Sequence, residues 1–163
     1  MINLREIKNK IVTKNNLYCL CVISIIFFLD RYTKLYILNN FTENTYYLNN
    51  YINLDLVWNT GVGFGFLKFQ QELYYNVVSF LIATVILFLI YYATKSSKLD
   101  KYIFSIIIGG ALGNFYDRMS FRAVPDFIDI HYKNFHWFTF NVADIFITLG
   151  IIFFLILGFR FNK

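Results

Sequence analysis

An apolar run without any charged residue, LYYNVVSFLIATVILFLIYYAT at 73–94, constrains the fold of this chain more than any other feature. At about 1.5 Å of rise per residue, a helix of this length crosses a hydrocarbon core about 30 Å thick. Three more apolar runs lie at 17–38, 102–119 and 138–159, and charged residues make up only 15% of the sequence, whereas a soluble domain contains about 25%. We therefore predict an all-α membrane protein: residues 1–163 form a single domain built on a bundle of four transmembrane helices.

The basic residues are distributed unevenly between the two sides of the predicted membrane. Nine lie in the N-terminal tail, the 95–101 loop and the C-terminal tail, whereas three lie in the segments 39–71 and 120–137. Because cytoplasmic loops carry an excess of Lys and Arg, we expect both termini in the cytoplasm and these two segments outside. The net charge of +5 is then a topology signal, so we expect membrane lipid as a partner and no nucleic acid.

The first external segment, 39–71, contains the pattern of a strand. Between residues 52 and 58, Ile, Leu, Leu and Trp alternate with Asn, Asp and Val, as expected for a strand with one buried face. A glycine-rich stretch, NTGVGFGF at 59–66, follows this pattern. We therefore predict a small β-rich extracytoplasmic cradle between helices 1 and 2, lying on the outer surface of the membrane.

Polar side chains of the first, third and fourth predicted spans lie at one depth. Counting about 1.5 Å per residue places all of them near the outer boundary of the membrane. Ionisable residues inside membrane spans are energetically costly, so they are candidates for function. The polar residues form three pairs, each about one helical turn apart, namely Asp30 with Lys34, Asn114 with Arg118 and Asn141 with Asp144, and Asp126 follows the end of the third span.

Two carboxylates of this group, Asp126 and Asp144, could meet. Two nearby carboxylates resist ionising together and can share one proton, so that one takes a proton from water while the other donates to a carbonyl oxygen. This chemistry hydrolyses a peptide bond without a metal or another cofactor. From spacing alone, helix capping or ordinary hydrogen bonding explains the two residues equally well, and Asp30, Asp117 and Asp129 are competing acids.

Two other polar pairs have simpler explanations. Asp30 and Lys34 are four residues apart on one helix face, so we expect a structural ion pair. His131 and His136 lie in a predicted loop with no Glu between them, which favours interfacial side chains over a metal site. Two alternatives to an enzyme remain, a small membrane transporter and a structural membrane subunit. A transporter would place its charges nearer the midplane, and a structural subunit would not need the cluster at the boundary.

Five short motifs occur in order along the chain: DRYTK at 30–34, NTGVGFGF at 59–66, GGALGNFYDR at 109–118, VPDFID at 124–129 and FNVAD at 140–144. With them the sequence resembles the lipoprotein signal peptidase, or signal peptidase II, family of intramembrane aspartic proteases. The family cuts prolipoproteins before a diacylglyceryl-modified cysteine at the outer face of the bacterial inner membrane. The resemblance therefore implies an aspartic-type endopeptidase, this location and prolipoproteins as substrates.

The resemblance also implies roles for individual residues. Asp126 and Asp144 would be the catalytic dyad, with no metal and no other cofactor. The supporting residues would be Asn114, Arg118 and Asn141 for the substrate and the dyad, Asn59 and Gly61 for the outer cradle, and Asp30 and Lys34 for the position of the first helix. Two positions depart from the family pattern, because Pro125 stands where a small aliphatic residue is common and Gly63 where alanine is usual. Proline restricts the residue before it, so we expect an extended chain ahead of Asp126.

Overall fold

Four long helices dominate the computed structural model, which describes residues 13–41, 45–61 and 72–161. They are α1 (Lys14–Asn40), α2 (Glu72–Lys95), α3 (Lys98–Phe121) and α4 (Val142–Phe161). The Thr13 side chain caps α1 and the Ser97 side chain caps α3, each accepting a backbone N–H three residues on. Each predicted apolar run corresponds to one helix, but the fourth helix begins at Val142, because residues 135–140 are paired in a strand.

The helices differ in how well they suit a membrane by length and apolar character alone. Within the described residues, Tyr75–Lys95 is the one helix that meets both conditions, and Val142–Leu157 is apolar but shorter. Helices α1 and α3 contain buried charged residues, which make them less apolar. The mainly helical architecture predicted from the sequence is confirmed, whereas the number of membrane spans stays a prediction.

Helix α3 is the centre of the bundle and packs against the other three helices. Its glycines permit close approach of the neighbouring helices. A Cβ atom at Gly110 would lie 2.6 Å from the backbone oxygen of Ala143 in α4, and one at Gly113 would lie 2.5 Å from Asp30 Oδ2 in α1. These glycines therefore act in helix packing, as small residues commonly do in membrane helices.

The sheet has four antiparallel strands in the order β1 (Tyr46–Asn49), β2 (Ile52–Asn59), β3 (Val124–Tyr132) and β4 (Phe135–Phe140). The strand predicted at 52–58 is confirmed. The prediction that the cradle lies between helices 1 and 2 was incomplete, because β3 and β4 come from the segment between α3 and α4. Strand β3 is paired on both sides and buried along most of its length, so its sequence lacks the clear alternation of a half-exposed strand.

Pro125 lies within β3, paired in register with Trp58 of β2. The extended chain expected ahead of Asp126 is therefore present. Three basic residues near the N-terminus, Arg5, Lys8 and Lys10, and the glycine-rich residues 62–66, including Gly63, lie outside the described residues.

Candidate active site

The two acids predicted to form a dyad line the same cavity, of about 370 Å³, where the sheet meets the helices. Asp126 is the third residue of β3, and Asp144 is the third residue of α4. Six of the predicted site residues line this cavity, namely Asn59, Asn114, Arg118, Asp126, Asn141 and Asp144. The rest of its wall is mainly apolar and includes Ile82, Ile147 and Ile151.

Asp126 is buried, and its carboxylate accepts hydrogen bonds from two side-chain amides. Asn59 Nδ2 donates to Asp126 Oδ2 at 2.9 Å, and Asn141 Nδ2 donates to Asp126 Oδ1 at 2.6 Å. Burial, reinforced by the nearby charge of Asp144, raises the pKa of Asp126 to about 6, while the hydrogen bonds from Asn141 and Asn59 oppose the shift. This carboxyl therefore exchanges a proton much closer to neutral pH than an exposed aspartate does.

Asp144 is held by contacts to the first turn of its own helix and to α3. Asn114 Nδ2 donates to Asp144 Oδ1 at 2.8 Å, and the backbone N–H of Asn141 donates to Asp144 Oδ2 at 3.1 Å. In return, the Asn141 side-chain oxygen accepts the backbone N–H of Asp144 at 3.1 Å. This reciprocal pair is a capping box, so the capping role that spacing left open for Asp144 is present. Asp144 also lines the cavity, so it has both a capping role and a place in the site.

Asn141 connects the two acids through one amide group. Its Nδ2 atom donates to the Asp126 carboxylate, and its Oδ1 atom accepts from the Asp144 backbone. Because the donor and the acceptor ends of the amide are both used, its orientation is defined. The side chain is fully buried.

A cluster of four buried charges lies behind the cavity, between α1 and α3, and its two acids balance its two bases. The Lys34 ammonium pairs with Asp30 and with Asp117, each at 2.7 Å, and Arg31 pairs with Asp117. The Asp30–Lys34 ion pair expected from the sequence is therefore confirmed. Asp117 was expected to compete for a catalytic role, but it faces α1 because it shares a helix face with Gly113 and Asn114.

The sequence analysis did not single out Arg31. Its position directly after Asp30, one turn before Lys34 on the same helix, was the available signal. Arg31 also lies over the ring of Tyr116, with its guanidinium carbon 4.7 Å from the ring centre. A cation that pairs with an acid and contacts an aromatic ring on α3 stabilises the packing of the first helix against the third.

The buried charges reach Asp144 by two routes. Lys34 Nζ donates to Asn114 Oδ1 at 2.9 Å, which turns the amide nitrogen of Asn114 towards Asp144. Asp30 Oδ1 accepts the backbone N–H of Ala143 at 3.0 Å, one residue before Asp144. Asp30 and Lys34 therefore orient the first turn of α4 in addition to joining α1 to α3.

Arg118 connects α3 to the end of the second strand. Its Nη2 atom donates to the backbone oxygen of Gly61 at 3.0 Å, and the Gly61 N–H donates to Asn59 Oδ1 at 3.0 Å. Asn59 in turn contacts Asp126. The two cradle residues inferred from the resemblance are thus coupled to the cavity, with Gly61 acting through its backbone.

The two histidines lie on strands β3 and β4, not in a loop. His131 is buried, which contradicts its expected interfacial position, whereas the side chain of His136 is 55% exposed. The ring of His131 stacks against that of His136, and His136 pairs with Asp129 at 2.7 Å. In the part of the chain that the structure describes, no group of three or more His, Cys, Asp or Glu could hold a metal ion.

Comparisons with known proteins identify the family. The model of the family described as signal peptidase (SPase) II matches residues 22–160. A lipoprotein signal peptidase of Pelagibacter ubique is 44% identical over 158 residues, covering 95% of both chains. A lipoprotein signal peptidase of Anaplasma phagocytophilum is 37% identical over 143 residues, covering 85% of this chain and 90% of its own.

A solved structure has the same fold. It is a bacterial membrane enzyme determined by the in meso method at 2.3 Å resolution, with a TM-score of 0.74 and 24% sequence identity over 90% of each chain. The family suggested by the five motifs is therefore confirmed by independent matches along almost the whole chain. This chain belongs to the signal peptidase II family of membrane proteases.

Proposed function

We propose that this chain hydrolyses the peptide bond before the diacylglyceryl-modified cysteine of prolipoproteins, with Asp126 and Asp144 as its catalytic dyad. The observation that carries the proposal is the pair of carboxylates bridged by Asn141 in one cavity. The names of the relatives supply the substrate class.

The dyad would act as a general acid and a general base that share one proton. The ionised carboxylate takes a proton from water, and the resulting hydroxide adds to the scissile carbonyl carbon. The protonated carboxyl donates its proton to the carbonyl oxygen, which gives a neutral tetrahedral intermediate. When the intermediate collapses, the carboxyl that gained a proton passes it to the departing amine, and the other recovers its proton from the intermediate. Their titration belongs to the pair, as expected for two interacting acids.

Two cavities bordering Asp144 suit a substrate with more than one apolar part. The first contains both acids and has a wall of isoleucines from α2 and α4. The second, of about 260 Å³, is lined by Ile130, Phe138, Phe140 and Ile145. A signal peptide and a pair of acyl chains are both apolar, so separate apolar surfaces on either side of the acid fit a substrate of this class.

We also propose that all four helices span the membrane, with both termini in the cytoplasm and the cavity at the outer face. The dyad lies where the sheet meets the end of α3 and the start of α4, and the opposite end of the bundle carries Lys14 of α1, Lys95 of α2 and Lys98 and Lys101 of α3. Exported prolipoproteins reach only the outer face, so this orientation is required for the activity.

The test is cleavage by the purified protein. A diacylglyceryl-modified prolipoprotein is incubated with the full chain in detergent, and loss of the signal peptide is followed by mass spectrometry. We expect cleavage immediately before the modified cysteine. A substrate in which that cysteine is replaced by alanine is the control and should remain intact. Absence of cleavage by a folded protein would exclude the proposed function and would favour a transporter or a structural subunit.

A further inference from the structure

A third cavity, separate from the two that border Asp144, lies at the end of the bundle away from the dyad. It has a volume of about 450 Å³ and forms a groove between α1 and α2, with α3 as its floor. The groove is formed because α1 and α2 both pack against α3 and have few contacts with each other. None of the residues assigned to the dyad or its support lines it.

The groove has the depth of one membrane leaflet. Along α1 it extends from Thr13 to Ile23, which corresponds to about 15 Å at 1.5 Å of rise per residue. The hydrocarbon core is about 30 Å thick, so the groove reaches roughly to its middle. A transmembrane helix of another protein would extend beyond it, whereas an acyl chain of a single leaflet matches its length.

The groove is apolar along its length and polar at one end. Leu17, Leu20 and Ile108 contribute to the apolar wall, while Asn16 and Lys101 line the polar end. Lys101 is partly buried there by its neighbours. An apolar channel closed by an ammonium group has the chemistry of a site for an acyl chain with an anionic head group.

The charged residues around the polar end of the groove are mostly positive. Three more lysines lie at the same end of the bundle as Lys101, namely Lys14, Lys95 and Lys98. Within the described residues of these helix ends, 13–23 and 95–101, Asp100 is the one acid. It lies in the first turn of α3, where its carboxylate accepts the Ser97 hydroxyl at 2.8 Å. The end of the groove therefore carries a net positive charge.

We propose that this groove binds one anionic phospholipid, with an acyl chain along its apolar wall and the phosphate against Lys101 and Asn16. The occupant is a lipid of the leaflet at the basic end of the bundle. The site is separate from the catalytic cavity, and the proposal rests on the proposed membrane orientation but not on the proposed cleavage activity.

The experiment counts lipids that remain bound to the full chain. The purified protein in non-ionic detergent is mixed with equal amounts of phosphatidylglycerol and phosphatidylcholine that have identical acyl chains, and bound lipids are counted by native mass spectrometry. We expect one phosphatidylglycerol to be retained about five-fold more than phosphatidylcholine, the preference that one lysine near an anionic head group supplies.

Matched variants separate this site from general attraction to a basic surface. Lys101→Gln should remove the preference. Lys95→Gln removes a positive charge at the same end of the bundle. Because the Lys95 side chain lies over the Tyr91 ring and does not line the groove, this variant should retain the preference. Leu20→Trp should fill the groove and displace the lipid, whereas Ile25→Trp, at an exposed position of α1 outside the groove, should not.

Several results would overturn the proposal. They are equal retention of the two lipids, an equal loss of preference in Lys101→Gln and Lys95→Gln, and unchanged retention in Leu20→Trp. A dimer that Leu20→Trp converts to a monomer would show that a second copy of the chain occupies the groove instead. Prolipoprotein cleavage is measured on the same variants and should persist in all of them, so failure of the lipid site and failure of the proposed function remain distinguishable.

Discussion

One side chain, that of Asn141, contacts both Asp126 and Asp144 and so fixes their positions relative to each other. One amide donates to Asp126 and accepts from the backbone of Asp144, a combination that a carboxylate cannot provide because it has no donor. Asn114 has a comparable position between Lys34 and Asp144. Amides thus connect the charged groups without adding charge to a buried cluster that is already balanced.

We predict that Asp126→Asn and Asp144→Asn each abolish prolipoprotein cleavage, because an amide cannot carry the proton that the mechanism requires. The shapes of the side chains are retained, so the variants should still insert and fold. Turnover of the diacylated substrate by each purified variant measures the effect. Asp55→Asn, on β2 but bonded to Thr45 away from the cavity, is the control and should retain activity. Near-normal turnover by either dyad variant would remove that residue from the dyad.

The raised pKa of Asp126 predicts a pH-dependent contribution to stability. Its pKa is about 6 in the folded protein, against an ordinary value of 3.8 for an aspartate in the unfolded chain. Between about pH 4 and pH 6 the folded state therefore binds more protons than the unfolded state. The contribution of this group to stability therefore falls as pH rises from 4 to 6. Thermal unfolding of the wild type and of Asp126→Asn in detergent, measured from pH 4 to 8, should show the difference shifting in favour of the variant as pH rises. A constant difference would contradict the raised pKa.

We predict that Arg118→Ala reduces activity more than Arg122→Ala does. Arg118 is buried and holds the Gly61 carbonyl, so its loss leaves that group without its charged donor. A hydrogen bond to a charged group contributes about 1.5–3 kcal/mol, which corresponds to roughly a tenfold or larger loss. Arg122 is exposed at the end of α3 and serves as the matched control. Equal residual activities at equal protein levels would refute this prediction.

Among the elements, α3 has the greatest influence because every other helix packs on it. Because Gly110 and Gly113 have no side chains, the first turn of α4 and Asp30 of α1 can both lie close against α3. Asp30 uses this position to accept the Ala143 N–H. The close approach of α3 to its neighbours therefore places the element that carries Asp144.

We predict that Gly113→Ala destabilises the protein and lowers activity, because the new methyl group would lie 2.5 Å from Asp30 Oδ2. Overpacking of this kind costs about 1–3 kcal/mol. Thermal unfolding and cleavage rates measure both effects. Asp30→Ala and the double variant complete a mutant cycle, in which the two changes should be strongly non-additive because they disrupt the same contact. Additive effects would show that Gly113 acts through another neighbour.

At the scale of the whole molecule, the two ends of the helix bundle have opposite characters. One end carries the sheet and the cavity with both acids, and the other carries Lys14, Lys95, Lys98 and Lys101. This polarity supports a fixed orientation in the membrane, with the lysines on the cytoplasmic side.

We predict that position 50 is external and position 97 cytoplasmic. Asn50 lies in the turn between β1 and β2, and Ser97 lies at the start of α3. Single cysteines at these positions, in a background with Cys19→Ala and Cys21→Ala, are treated with an impermeant thiol reagent in intact spheroplasts. Position 50 should be labelled, and position 97 should be labelled only after permeabilisation. The reverse pattern would place the dyad on the wrong side for an exported substrate.

The four helices, the strand at 52–58 and the family of this protein could be predicted from the sequence alone. An uncharged apolar run produces a helix wherever it occurs in a membrane, and alternation at 52–58 produces a strand, because both patterns depend on near neighbours in the chain. Five ordered motifs were enough to indicate the signal peptidase II family, which the comparisons confirm. The spacing of Asp30 and Lys34 on one helix was likewise sufficient to predict their ion pair.

Contacts between residues that are distant in sequence could not be predicted in this way and become visible in the folded chain. The Asn59 contact with Asp126, the Arg31 pair with Asp117 and the addition of β3 to the sheet of β2 all join segments that are far apart in sequence. Local spacing leaves several acids as equal candidates, since it does not say which face of one helix packs on another. Close packing at the glycines of α3 makes that choice, turning Asp117 towards α1 and leaving Asp144 on the cavity that Asp126 enters from the sheet.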